Sequence, residues 1–190
     1  AGFEAWFNRF DPFTMTMVFY VLIFVLAAFS WMGFSRPMAR SAFWILILAL
    51  IVHTFGLAAR IYMSGRPPVT NLASSAIFIG WGMVVFATCL ELIFKNGVGA
   101  VLAAVAGFPT LMIAQRLSLD GDTMKVLQAV LDTNIWLATH VVCITLGYAA
   151  TFLAGLIGIT YIVLGLFTNL LSHRGRGLDK AMSASGVGSL

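Results

Sequence analysis

The chain is predicted to be an all-α polytopic membrane bundle of about five transmembrane helices, and three observations carry that prediction. Of its 190 residues 61% are apolar and only 9% charged, where a soluble domain is about half apolar and about a quarter charged. Mean hydropathy is +0.98. Five stretches are long and apolar enough to cross a hydrocarbon core about 30 Å thick, which takes about 20 helical residues. Strands of a membrane β-barrel would show short alternating segments instead, and the sequence has none.

The first stretch, residues 13–32, carries no charge. The second, 42–63, holds His53 near its middle and Arg60 near its end. Gly65 and the Pro67-Pro68 pair then end the helix, because proline lacks an amide donor and constrains the residue before it. Thr70 or Asn71 is placed to cap the third stretch, 74–94. At its far end Glu91 and Lys95, four residues apart, read as a surface ion pair. Gly97, Gly99 and Pro109 weaken the fourth stretch, 98–114. The fifth, 135–167, is uncharged and so long that it must tilt or project beyond the lipid. Between the last two, Met124, Leu127, Val130 and Leu131 recur at helical intervals among Asp120, Asp122, Lys125, Gln128 and Asp132, which predicts a short amphipathic helix on the membrane surface.

Charge placement orients the bundle. With the N-terminus outside, the inner loops collect Arg36, Arg40, Lys95, Arg174, Arg176 and Lys180 against Glu91 and Asp179. The outer side balances Arg9, Arg60, Arg66, Arg116 and Lys125 against Glu4, Asp11, Asp120, Asp122 and Asp132. Basic clusters flanking spans belong on the cytoplasmic side, so the expectation is N-terminus out and C-terminus in. Residues 1–171 are read as the bundle and 172–190 as a polar tail or linker; a start at Ala1 rather than Met suits a piece of a longer protein.

Several chemistries lack their residues. Cys89 and Cys143 fall in different helices without a CxxC pair, which argues against a thiol-disulfide relay and for small packing residues. No metal-cluster spacing or glycine-rich phosphate loop is present, a hydrolytic triad cannot be assembled from the membrane serines, and no nucleic-acid partner is expected.

Three groups of residues remain. His140 lies about one turn inside the fifth stretch, where an ionisable group is costly without a partner. Trp136, four residues earlier, shares its face. An imidazole there can ligate a metal or serve as a hydrogen-bonded packing residue, and both readings stay open. Arg60, Arg66, Tyr62 and Trp81 lie at headgroup depth, where the cations could meet carboxylates of a ligand or simply brace a turn. His53 is expected to be a buried structural histidine with a hydrogen-bonding partner, and His173 a solvated one. Below His140, Gly147, Thr151 and Gly155, with Ala150, Ala154 and Gly158, form small-residue seams against which another helix should pack. A transporter subunit or a structural scaffold would also fit such a bundle.

Two phrases, SGRPPVTNLASSAIFIGWG from Ser64 to Gly82 and LDTNIWLATHVVCITLGYAA from Leu131 to Ala150, taken together resemble the CcsA/ResC cytochrome c assembly proteins of the haem-handling superfamily. The first is similar to a W-x-x-S-G-H-x-P-L-S-N-L-Y-E-S-L pattern and the second to N-x-W-L-x-x-H-V…YA, and the likeness covers roughly residues 60–165. It implies part of a membrane holocytochrome c synthase that presents haem b at the extracytoplasmic face for thioether attachment to the CxxCH cysteines of an apocytochrome c. His140 matches the family's first outward-facing histidine, an axial ligand of haem iron; Trp136, Arg60, Arg66 and Trp81 would be pocket contacts. The resemblance also implies a ResB/CcsB-type partner, separate or fused, and a bacterial cytoplasmic membrane or the thylakoid equivalent. There are departures. Arg66 stands where the family has histidine, Ala73-Ser74 replace Tyr-Glu, and neither the W-G-x-x-W-x-W-D run nor a second outward histidine is present, so this chain is expected to hold part of the haem site and to be inactive alone.

Overall fold

Residues 2–30, 35–65, 67–69, 71–119 and 134–167 are described by the computed structural model. They form six helices: α1 (Gly2–Phe10), α2 (Pro12–Phe29), α3 (Ser35–Ser64), α4 (Leu72–Phe94), α5 (Val98–Leu119) and α6 (Asn134–Phe167). No strand occurs among the described residues. Five segments can cross a bilayer: Gly2–Phe29, Pro37–Ser64, Leu72–Phe94, Val98–Ser118 and Ala138–Val163. The protein is thus a multi-pass helical membrane protein. One unit covers Ala1–Leu153 and a second Ala154–Leu190; the described part of the second is the continuation of α6. The amphipathic strip at 120–133 and the tail at 172–190, with His173, lie outside the described residues.

The α1 helix was not expected. It ends where Asp11 takes a left-handed backbone (φ 40°), a region Asp tolerates better than most residues, and the Asp11 carboxylate then caps α2 by accepting from Thr14 N at 3.3 Å and Thr14 Oγ1 at 2.5 Å. Pro12 in the first turn of α2 forfeits an amide that has no intrahelical partner there anyway. From that start α2 buries Thr16, Met17, Tyr20, Ile23 and Ala27, a helical stripe that meets α3 and α5. The facing stripe of α3 is Ala42, Leu46, Ala49, His53 and Leu57, all buried. The opposite side of α3 exposes Trp44, Leu48, Ile51, Phe55 and Tyr62.

Small residues set the spacing of the core. A Cβ added to Gly107 of α5 would lie 2.5 Å from the Tyr20 ring, so this glycine is what lets α2 bring its tyrosine against α5. Gly80 of α4 is likewise covered by Thr110 of α5. Pro109 neither ends nor displaces α5, which runs five residues past the expected end at 114. Burial of Ala103, Ala104, Ala106, Leu111 and Ala114 on both sides of the proline holds the helix together in spite of the lost backbone bond. Gln115 Nε2 reaches Thr14 Oγ1 at 3.3 Å, so the end of α5 and the start of α2 share one end of the bundle.

The turn between α4 and α5 departs from expectation. Glu91 is buried, and its carboxylate accepts from the amides of Gly97 and Gly99 at 2.9 Å and of Ala100 at 3.4 Å. It does not pair with Lys95, whose left-handed backbone (φ 51°) closes α4. Orphan amides at a helix start bind a carboxylate more strongly than a solvated ammonium does, and Gly99 allows the approach: a Cβ there would lie 2.6 Å from Glu91 Cβ.

Candidate functional site

The helices α3 and α4 run side by side from the turn between them, and two side-chain hydrogen bonds join them. Arg60 donates from Nη2 to Ser74 Oγ at 3.4 Å, near the turn. Deeper in, Trp81 Nε1 donates to Thr54 Oγ1 at 2.9 Å. Next to Thr54 on α3, the His53 imidazole faces the Ile77 backbone. The first turn of α4 is secured by Asn71, whose side-chain oxygen accepts from Ser74 N at 2.7 Å, so Asn71 is the cap. Arg60 and Trp81, two of the expected pocket contacts, therefore bind helix to helix. Arg66 and Thr70 lie outside the described residues.

His53 has the partner its position demanded. Its Nδ1 is 2.9 Å from the Tyr20 hydroxyl, and the Phe13 ring meets its edge at a centroid distance of 6.0 Å. Both His53 and Tyr20 are fully buried. The other ring nitrogen, Nε2, has no hydrogen bond.

His140 is placed differently. It is exposed, two residues inside the segment of α6 that can cross a bilayer. At 3.6 residues per turn His140, Gly147 and Thr151 lie on one face, with Trp136 close beside it. Trp136 is 70% exposed. The buried side of α6 is another one, Thr145, Ala149 and Leu153, and it packs where α4 has Gly82: a Cβ on that glycine would be 2.9 Å from Ala149 Cβ. Nothing lies within 4 Å of the Cβ position of Gly147, so among the described residues of the first unit no helix packs on this end of the small-residue seam. Cys89 and Cys143 are exposed as well, not packed as expected.

The described residues hold no group of three or more His, Cys, Asp and Glu that could cage a metal ion. A single exposed imidazole could supply an axial donor to an iron whose in-plane ligands all come with a porphyrin.

No protein-family model matches the chain. It is 31% identical over 171 residues to the cytochrome c biogenesis protein CcsA of Guillardia theta, a match covering 85% of this chain and 54% of that protein. With the CcsA of Synechocystis it shares 26% identity over 182 residues, 94% of this chain and 52% of the relative. Over most of its length the chain is similar to the CcsA-type cytochrome c biogenesis proteins. It also matches protein NrfI of Wolinella succinogenes at 31% identity over 187 residues, 93% of this chain but 20% of NrfI. The chain spans about half the length of the CcsA relatives it matches.

Sequence reading located His140 and Trp136 on one face but missed Tyr20, which lies 33 residues from His53. A signal was there: a tyrosine in the middle of one uncharged span and a histidine in the middle of the next each need a partner, and adjacent spans are the first place to find it.

Proposed function

We propose that the chain takes part in cytochrome c biogenesis by presenting haem at the extracytoplasmic end of the bundle for covalent attachment to an apocytochrome c. The observation that carries this reading is the exposed His140, with Trp136 beside it, at one end of a face of α6 turned away from its contact with α4. An accessible imidazole in a lipid-spanning helix asks for a ligand from outside the bundle. His140 would hold the iron axially and fix the porphyrin's orientation, and Trp136 would stack on its edge. Haem supplies the vinyl groups to which the CxxCH thiols of the apocytochrome add. Arg60, at the same end of the bundle, and Arg66 are the cations this reading assigns to its propionates, and Trp81 is a further pocket contact.

The cofactor on this reading is haem b, the membrane is the bacterial cytoplasmic membrane, and a ResB/CcsB-type partner or fused segment completes the site. Purifying the full-length protein with haem, and comparing it with His140→Ala and His140→Cys, tests the proposal. The Soret band should fall severalfold in His140→Ala and shift in His140→Cys, as a thiolate replaces imidazole. An unchanged Soret band in both would overturn it and leave a transporter or scaffold subunit.

A further inference from the structure

We infer that a cleft between α2 and α5 is a lipid site, which seats the terminal stretch of one phospholipid acyl chain near the middle of the membrane. The cleft measures about 270 Å³. Tyr20, Val21 and Phe24 of α2 line one side of it, and Ala104, Val105 and Phe108 of α5 the other.

The shape follows from how the two helices meet. They run antiparallel, since Thr14 meets Gln115 and, six residues on, Tyr20 meets Gly107. Gly107 admits the Tyr20 ring and so fixes the close approach at that turn. The same register sets Phe24 opposite Ala104, whose single methyl leaves the space beside the tyrosine to a guest. Tyr20 and Ala104 are buried and form the floor. Val21, Phe24 and Val105, 45%, 46% and 40% exposed, form the mouth.

Three observations name the occupant. The mouth belongs to two segments that cross the bilayer, Gly2–Phe29 and Val98–Ser118, and Ala104, Val105 and Phe108 lie close to the middle of the second. It is therefore continuous with the lipid-facing surface of the bundle at the depth where acyl chains end. The lining has no hydrogen-bonding group to offer, because the Tyr20 hydroxyl is engaged by His53 Nδ1 at 2.9 Å, whereas a water asks for about two to four polar partners. Size excludes a helix. The cleft takes in little more than one turn of each wall, about 6 Å along the axis, against a helix diameter of about 10 Å. A hydrocarbon chain is thin and apolar, and the surrounding membrane supplies it. Seated there it backs the Tyr20 ring, so its binding stabilises the packed bundle.

The test takes the whole protein from phosphatidylcholine vesicles into mild detergent and counts the lipid it keeps by native mass spectrometry. Ala104→Phe fills the floor and Val105→Trp closes the mouth; Leu48→Phe, on the exposed face of α3, is the control. Wild type and control should keep a single phosphatidylcholine, and both cleft variants should lose it severalfold. Adding the lipid back should raise the unfolding temperature of wild type by several degrees and leave the cleft variants almost unmoved. Should Ala104→Phe fail to fold, Val105→Trp carries the test, since its side chain stands at an exposed position. Equal retention in all four proteins would overturn the proposal. So would a wild-type dimer that Val105→Trp disperses, which would make a second copy the occupant.

Discussion

The Tyr20 hydroxyl lies 2.9 Å from Nδ1 of His53 and joins α2 to α3 where both side chains are fully buried. Among the described residues the phenol is the one side chain that hydrogen-bonds an imidazole kept from water by lipid and packed side chains. Tyr20→Phe is therefore expected to lower stability by about 1–2 kcal/mol, at the upper end for polar pairs in membrane bundles. Replacing both residues by Phe should cost less than the two single changes together, because no orphaned polar group is left. Reversible unfolding in mixed micelles measures both effects; strict additivity of the single changes would mean the pair is not coupled.

Glycine substitutions should split by position. Gly107→Ala puts a methyl 2.5 Å from the Tyr20 ring, and neither the ring nor the α5 backbone can retreat without disturbing the Tyr20–His53 contact. A loss of about 1–3 kcal/mol is expected. Gly147→Ala meets nothing within 4 Å and should leave stability within about 0.5 kcal/mol or raise it through helix propensity. The same micelle titration compares them, and equal losses would contradict the packing described for α5.

Removing Asn71's cap should matter less than either core change but be visible. Asn71→Ala strands the Ser74 amide that its side chain binds at 2.7 Å, with an expected cost of about 1 kcal/mol. Asn71→Asp keeps the acceptor and should recover most of it. Hydrogen exchange of the first-turn amides of α4 reports the change locally.

What could be read from the residues follows the physics of each feature. The five spans were legible because lipid imposes a composition that few other environments tolerate, and their ends erred by a few residues where caps decide them, as at Asp11. The α1 helix escaped because nine residues are too few to announce a span, and its period shows only when separated from the apolar run behind it. Pro109 counted as weakening the fourth stretch because local propensity speaks against it, while the buried alanines on both sides carry the helix through it. The reach of Tyr20 to His53 is tertiary and no spacing encodes it. For the candidate site, His140 and Trp136 were legible as helical neighbours; that their face is turned away from α4 depends on Gly82 drawing Ala149 inward. The small-residue seam was expected to receive another helix, yet among the described residues of the first unit nothing packs on Gly147.

Glu91 and Lys95 offer a sharp choice between a local and a tertiary role. Were they an exposed pair four residues apart, removing either would cost the same few tenths of a kcal/mol. The observed geometry breaks that symmetry: the buried carboxylate binds three amides at the start of α5, at 2.9, 2.9 and 3.4 Å, while Lys95 holds a left-handed backbone and an exposed side chain. Glu91→Ala should therefore cost about 2–3 kcal/mol, as expected for loss of charge-assisted bonds to buried donors. Glu91→Gln, which keeps one acceptor oxygen, should fall between. Lys95→Ala should be nearly neutral, and Lys95→Gly should stabilise by about 1 kcal/mol, because glycine adopts the positive φ without strain. Unfolding of the four variants side by side decides it, and equal small losses for Glu91→Ala and Lys95→Ala would restore the ion pair and remove the cap.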